Sequence, residues 1–145
     1  MKRFGILVAS ALVMGLSFTS CGSDDDSDNN DSIVAKWNFS TEKFIVNGTV
    51  TYNGPYQDNQ VGCASDNIEI FQNGTTLETD YFDSDCDVDT YAGTYTRNGN
   101  TLTVTEDGDV LILEIVEVTS NKLVLRSSDT FEGDTEITEI TFTKA

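Results

Sequence analysis

Thr90-Tyr91-Ala92-Gly93-Thr94-Tyr95-Thr96-Arg97-Asn98-Gly99-Asn100-Thr101-Leu102-Thr103-Val104-Thr105 reads as two extended strands joined by a tight turn. Aromatic and aliphatic residues alternate with small or polar ones, the two-residue period of a strand buried on one face. Asn98-Gly99 separates the runs, and these residue types accept the positive φ angles of a two-residue hairpin turn. The stretch therefore predicts antiparallel strands over 90–97 and 100–105.

The pattern repeats on both sides. Upstream, 67–72, Asn73-Gly74 and 75–82 form a second hairpin, followed by an acidic loop over 83–89. A first strand spans 33–39 and carries the only tryptophan, Trp37; a short hairpin turns at Asn47-Gly48; and 53–66 is a loop with the only proline, Pro55. Downstream, turns at Asp107-Gly108, Ser120-Asn121 and Glu132-Gly133-Asp134 delimit strands over 109–118, 122–128 and 135–143. No stretch repeats at 3.6 residues. The fold class is all-β: a small antiparallel meander, closed into a barrel of about eight strands that hides its edges. Its apolar face is predicted from Ile68 and Ile70, Leu77 and Tyr81, Leu102 and Val104, Leu123 and Leu125, Ile140 and Phe142. Val110 to Val118 is apolar on both faces, so either the outer face is covered, in part by the loop around Pro55 as expected, or it is a contact patch.

Composition narrows the function. Eight Lys and Arg against 25 Asp and Glu give a formal charge of −17. Such a chain is repelled by nucleic acid, which excludes that class of partner. There is no histidine, so the commonest general base, the Ser–His and Cys–His nucleophile pairs and the usual zinc ligands are missing. No phosphate loop or nucleophile elbow appears. The chain is not expected to be an enzyme.

The first 20 residues have the layout of a signal peptide: Lys2 and Arg3, an apolar run from Phe4 to Leu16, then small, mostly polar residues. The run is too short for a membrane span. Leu16-Ser17-Phe18-Thr19-Ser20-Cys21 resembles a bacterial lipobox, in the looser form common in the Bacteroidetes lineage, with Phe18 where Leu is usual. The resemblance implies cleavage before Cys21 and acylation of its thiol and new amine, which anchors the protein to a membrane. Residues 21–32 read as an acidic disordered tether. Ser23-Asp24-Asp25-Asp26 resembles the surface-export signal of flavobacterial lipoproteins and implies an outer-membrane, cell-surface location; a spacer facing the periplasm is the alternative. The folded domain is 33–145.

With Cys21 assigned to lipid, Cys63 and Cys86 remain as a pair in an oxidising compartment. Bridged, they close a loop of about 23 residues and add ~3 kcal/mol; two buried thiols or a redox pair are the alternatives. Val34-Ala35-Lys36-Trp37, the Asn-Gly hairpins, the two cysteines, Tyr91-Ala92-Gly93-Thr94-Tyr95, Gly99-Asn100-Thr101-Leu102-Thr103-Val104 and Thr141-Phe142-Thr143-Lys144 resemble the lipocalin-like lipoproteins of Bacteroidetes. Ala35 departs from the usual Gly. The resemblance implies a lipocalin-like barrel whose floor is closed by Trp37, with Lys144 or Arg126 across it. Tyr81, Tyr95, Leu113 and Leu125 are candidates to line a cavity for a small hydrophobic ligand. The alternative is a filled core serving as a structural or interaction module of the cell surface, with an envelope protein as partner. No cofactor is expected, apart from a candidate Ca²⁺ loop: Asp83, Asp85, Asp87 and Asp89 alternate around Cys86, without the Gly and Glu an EF-hand requires.

Overall fold

A computed structural model describes residues 32–145. The predicted signal peptide, the lipidation of Cys21 and the tether up to residue 31 lie outside the described residues. The domain is built from nine strands: β1 (Lys36–Val46), β2 (Thr49–Pro55), β3 (Asn67–Ile70), β4 (Thr75–Phe82), β5 (Asp87–Asn98), β6 (Thr101–Glu106), β7 (Asp109–Val118), β8 (Lys122–Phe131) and β9 (Asp134–Lys144). All pairings are antiparallel, β3 through β9 follow one another, and β1 bonds to both β3 and β9, closing an eight-stranded barrel with β2 as an extra strand on β1.

Turn chemistry sets these boundaries. Asn47 and Gly48 hold φ of 50° and 78°, and Asp107 and Gly108 hold 51° and 91°, the left-handed pairs of a two-residue hairpin. In the hairpin that opened the sequence reading, Asn98 pairs with Thr101, so the turn is Gly99-Asn100, one residue later than predicted. The predicted first strand and the short hairpin after it share one strand: β1 runs unbroken to Val46 through a bulge at Ser40. The acidic loop shortens to Asp83–Cys86, and Asp87 and Asp89 belong to β5.

One end of the barrel is tight and the other is parted. β1 meets β3 only through Lys36–Asn38 opposite Asn67–Glu69. β7 meets β8 only through Glu114–Val118 opposite Leu123–Arg126. Beyond these short ladders the wall divides into two sheets, β3 to β7 and β8-β9-β1-β2. The joined end, here called the base, holds the buried cluster of Ile33, Trp37, Phe39, Ile70, Leu102, Ile115, Leu123, Leu125, Ile140 and Phe142. The ring nitrogen of Trp37 donates to the Ile33 carbonyl at 2.8 Å, which satisfies the one polar atom that burial would otherwise strand. Lys144 lies opposite Trp37 on β9. Arg126 does not cross the tryptophan: it is on the outer face, bonded to Glu139 at 2.8 Å and Glu114 at 3.1 Å.

Two further expectations are corrected. Ile68 pairs with Glu78 and Ile70 with Thr76, so on β4 the inward face is Thr76-Glu78-Asp80, while Leu77 and Tyr81 face outward. A slip of one residue exchanges every side chain between faces. The outer face of β7 is uncovered: Val110, Ile112 and Val116 are exposed, because the chain around Pro55 is recruited by β1 instead.

Candidate functional site

The gap between β1 and β4 is closed by residues 56–66. The bulge at Ser40 turns β1 backbone groups toward this segment. Tyr56 N–H donates to Ser40 O (3.0 Å), and Phe39 N–H donates to Asp66 O (2.9 Å). Asn59 Nδ2 donates to Phe39 O (2.9 Å), and Gln57 N–H donates to the buried Glu42 Oε1 (3.2 Å). Asp66 is the junction: its N–H donates to Asn59 Oδ1 at 2.8 Å, and its Oδ1 accepts from Tyr81 N–H at 2.7 Å where β4 outruns β3. Cys63 and Cys86 form a disulfide, with Cα atoms 5.5 Å apart, tying the segment to the β4–β5 turn. The Tyr56 ring packs at a tilt against Phe39, and Phe39 against Phe142, both at 4.6 Å between centroids, so the segment is anchored in the core as well as by hydrogen bonds.

Inside, the barrel has two zones. Above the filled base, the inward faces of β5, β6 and β7 carry Tyr95, Val104, Leu111 and Leu113, matched across the sheet. These inward apolar side chains are only half-buried. Toward the parted end the lining turns acidic: Glu78 and Asp80 on β4, Asp89 on β5, Glu106 on β6, with Asp66 and Asp58 from the closing segment. Glu78 is the most affected. Burial, then the carboxylates of Asp80, Glu106 and Asp66, push it up to about 8; burial and the neighbouring carboxylates raise Asp80 to about 6. Asp66 and Glu106 are also raised, chiefly by desolvation, as is the Tyr56 hydroxyl. A carboxylic acid kept neutral this way is a hydrogen-bond donor near neutral pH.

The structure brings together three of the four predicted lining residues. Leu125 is in the core, Leu113 is half-buried on the inner face, and Tyr95 is inward with its hydroxyl bonded to Phe71 O at 2.9 Å. Tyr81 is separated from them, on the outer face. Asp83, Asp85, Asp87 and Asp89 are all exposed, spread over a turn and the first residues of β5; among the described residues no group of three or more acidic or thiol side chains is arranged to hold a metal. Glu42, Tyr56, Asp66, Glu78 and Asp80 were missed. The available signal was the alternation Thr76-Glu78-Asp80, which reads as a solvated face until register places it inside.

A closed antiparallel barrel with a Trp-sealed base and an open, partly apolar interior defines the lipocalin class of fold. The chain belongs to the lipocalin-like domain family, whose model matches residues 33–125. Solved structures agree at the level of fold. A lipocalin-like protein from Bacteroides uniformis is 14% identical with a TM-score of 0.53, over 78% of this chain and 98% of that one. An uncharacterized protein from Bacteroides eggerthii is 15% identical with a TM-score of 0.54, over 79% and 100%. H1 crustacyanin from the lobster Homarus americanus is 16% identical with a TM-score of 0.50, over 82% and 64%. No curated protein matches the sequence. The fold is typically one that binds small hydrophobic molecules rather than a catalytic one, and no catalytic family is indicated.

Proposed function

We propose that the protein is a cell-envelope lipoprotein, held to the outer membrane through acylated Cys21, whose barrel binds a small hydrophobic molecule. The observation that carries the binding reading is the half-buried inner face of Tyr95, Val104, Leu111 and Leu113. Apolar side chains that point into a barrel yet keep part of their surface accessible are what a ligand would cover, at roughly 25 cal/mol per Å². The acidic rim above them favours a neutral or cationic molecule over an anion. Ile33 lies beside Trp37, so a tether from Cys21 would join the domain at its base. Ser23-Asp24-Asp25-Asp26 supports the cell surface over the periplasmic face.

Titration with Nile red, a neutral apolar dye, tests the binding reading. Saturable one-to-one fluorescence enhancement is expected, weakened at least tenfold by Leu113→Trp, which fills the open inner face. Absence of saturable binding to the purified protein, with nothing co-purifying in native mass spectrometry, overturns it in favour of a module with a closed interior. Anchoring is read separately: Cys21→Ala should move the protein to the soluble fraction, and persistent membrane association refutes the anchor.

A further inference from the structure

We propose that the free edge of β7 is a docking strand for an extended segment of a partner protein whose side chains alternate apolar and basic. β7 bonds to β8 only from Glu114 onward, so among the described residues Asp109–Leu113 has no partner on that side, and neither does Ser127–Phe131 of β8. The direction of the unused groups follows from the ladder. Ile115 N–H donates to Asn100 O in the turn that leads into β6, at 2.6 Å, so by alternation the N–H of Val110 and Ile112 point to the open side. Unpaired strand edges are templates for pairing, and proteins ordinarily blunt them with Lys, Pro or Gly.

Two of the exposed edges, β2 and the open part of β7, differ in that respect. β2 reads Thr49-Val50-Thr51-Tyr52-Asn53-Gly54-Pro55, a largely polar strand ending in Gly-Pro. The open part of β7 reads Asp109-Val110-Leu111-Ile112-Leu113, with no basic residue, proline or glycine, and its outward side chains Val110 and Ile112 are 51% and 64% exposed. Beside the same opening lie exposed Phe131 on β8 and the carboxylates Glu106, Asp107, Asp109 and Asp129 at the ends of β6, β7 and β8. The edge supplies backbone hydrogen bonds, the exposed aliphatics supply an apolar strip, and the carboxylates select positive charge on the incoming strand. The same charge disfavours a second copy of this chain, which carries −17 overall, and the chain's own residues 21–31, which are acidic.

The probe is an eight-residue peptide alternating Lys and Val, titrated calorimetrically against the purified protein beside a Glu–Val peptide and a Lys–Val peptide interrupted by a central proline. One-to-one binding of the Lys–Val peptide is expected, at least tenfold weaker for both controls, with hydrogen exchange slowed at Val110 and Ile112. Ile112→Pro removes only an outward N–H, and Ile112→Lys adds a like charge; each should weaken binding tenfold or more, whereas Val50→Lys on β2 should leave it unchanged. No binding, equal binding of the three peptides, protection elsewhere than β7, insensitivity to both Ile112 variants, or a dimer or an intramolecular contact of residues 21–31 that already protects the β7 edge would each overturn the proposal.

Discussion

At the scale of single residues, a few positions decide how the interior packs and how it responds to pH. Gly93 is one: a Cβ there would stand 2.7 Å from Thr76 Oγ1 and 2.9 Å from the Thr105 carbonyl, and the backbone oxygen cannot swing aside. Gly93→Ala is therefore expected to cost about 1–3 kcal/mol, read as a lowered urea midpoint, and an unchanged midpoint would contradict the packing described. Glu78 is another. Its carboxyl rises from an ordinary 4.5 to about 8 in the folded barrel, so the folded state holds a proton that the unfolded chain releases. The sign follows: between about pH 4.5 and 8 the unfolded state binds fewer protons, and stability falls as pH rises. Glu78→Gln keeps the shape without the charge. It should flatten that decline and raise stability at pH 8 by on the order of 3 kcal/mol, measured by denaturation at pH 5 and pH 8; equal slopes for the two proteins would show that Glu78 is not buried as described.

Elements were legible where local chemistry settles them and obscure where register does. The hairpins carry their signal in adjacent residues, Asn47-Gly48 or Asp107-Gly108, and Trp37 marks the base because no exposed position rewards so large an apolar ring. The cysteine pair was also within reach, since assigning Cys21 to lipid left Cys63 and Cys86 as an even pair, and the structure bridges them. β4 was misread because Leu77 and Tyr81 are more apolar than Thr76, Glu78 and Asp80, and hydrophobicity alone turns the wrong face inward. What reverses it is the pairing of β3 with β4 and the tight stacking of Thr76 on Gly93, neither of which periodicity encodes. The segment 56–66 was legible only as a loop. Its role rests on Asp66 and Asn59 answering backbone groups that a bulge in β1 exposes, a match made in three dimensions. This segment yields its own prediction. Replacing Cys63 and Cys86 together by Ser should cost about 3 kcal/mol, while Asn59→Ala, which strands the Phe39 carbonyl and the Asp66 N–H, should cost about 1–3 kcal/mol. If the closing segment acts as a unit, hydrogen-exchange protection should drop further at Phe39, Tyr56 and Tyr81 than in β8 and β9 in both variants; equal loss across the barrel would argue against a separate unit.

For the whole molecule, shape and charge divide along the same axis. The base is apolar and filled; the parted end gathers Glu78, Asp80, Asp66, Glu106 and Asp89 on the inside and Asp107, Asp129 and Glu132 around the rim. The ion pairs that offset acidity, Lys43–Glu139, Arg126–Glu114, Arg126–Glu139 and Lys122–Glu117, are all on the outer wall. They sit where solvent screens them, away from the inner carboxylates. The formal charge of −17 is thus concentrated in its effect at the one end where the strands of the two sheets no longer bond directly to one another, and mutual repulsion there works to spread them. Counter-ions relieve it: the screening length shrinks from about 30 Å at 0.01 M salt to about 8 Å at 0.15 M. Stability should consequently rise with sodium chloride over that range, a gain of ~1 kcal/mol appearing as an increase of roughly 4–8 °C in Tm. The increase should be smaller in a Glu78→Gln, Asp80→Asn double variant than in the parent, because those two carboxyls lie inside the splayed end. A Tm indifferent to salt, or an equal salt response in both proteins, would mean that the interior carboxylates are not what strains the open end of the barrel.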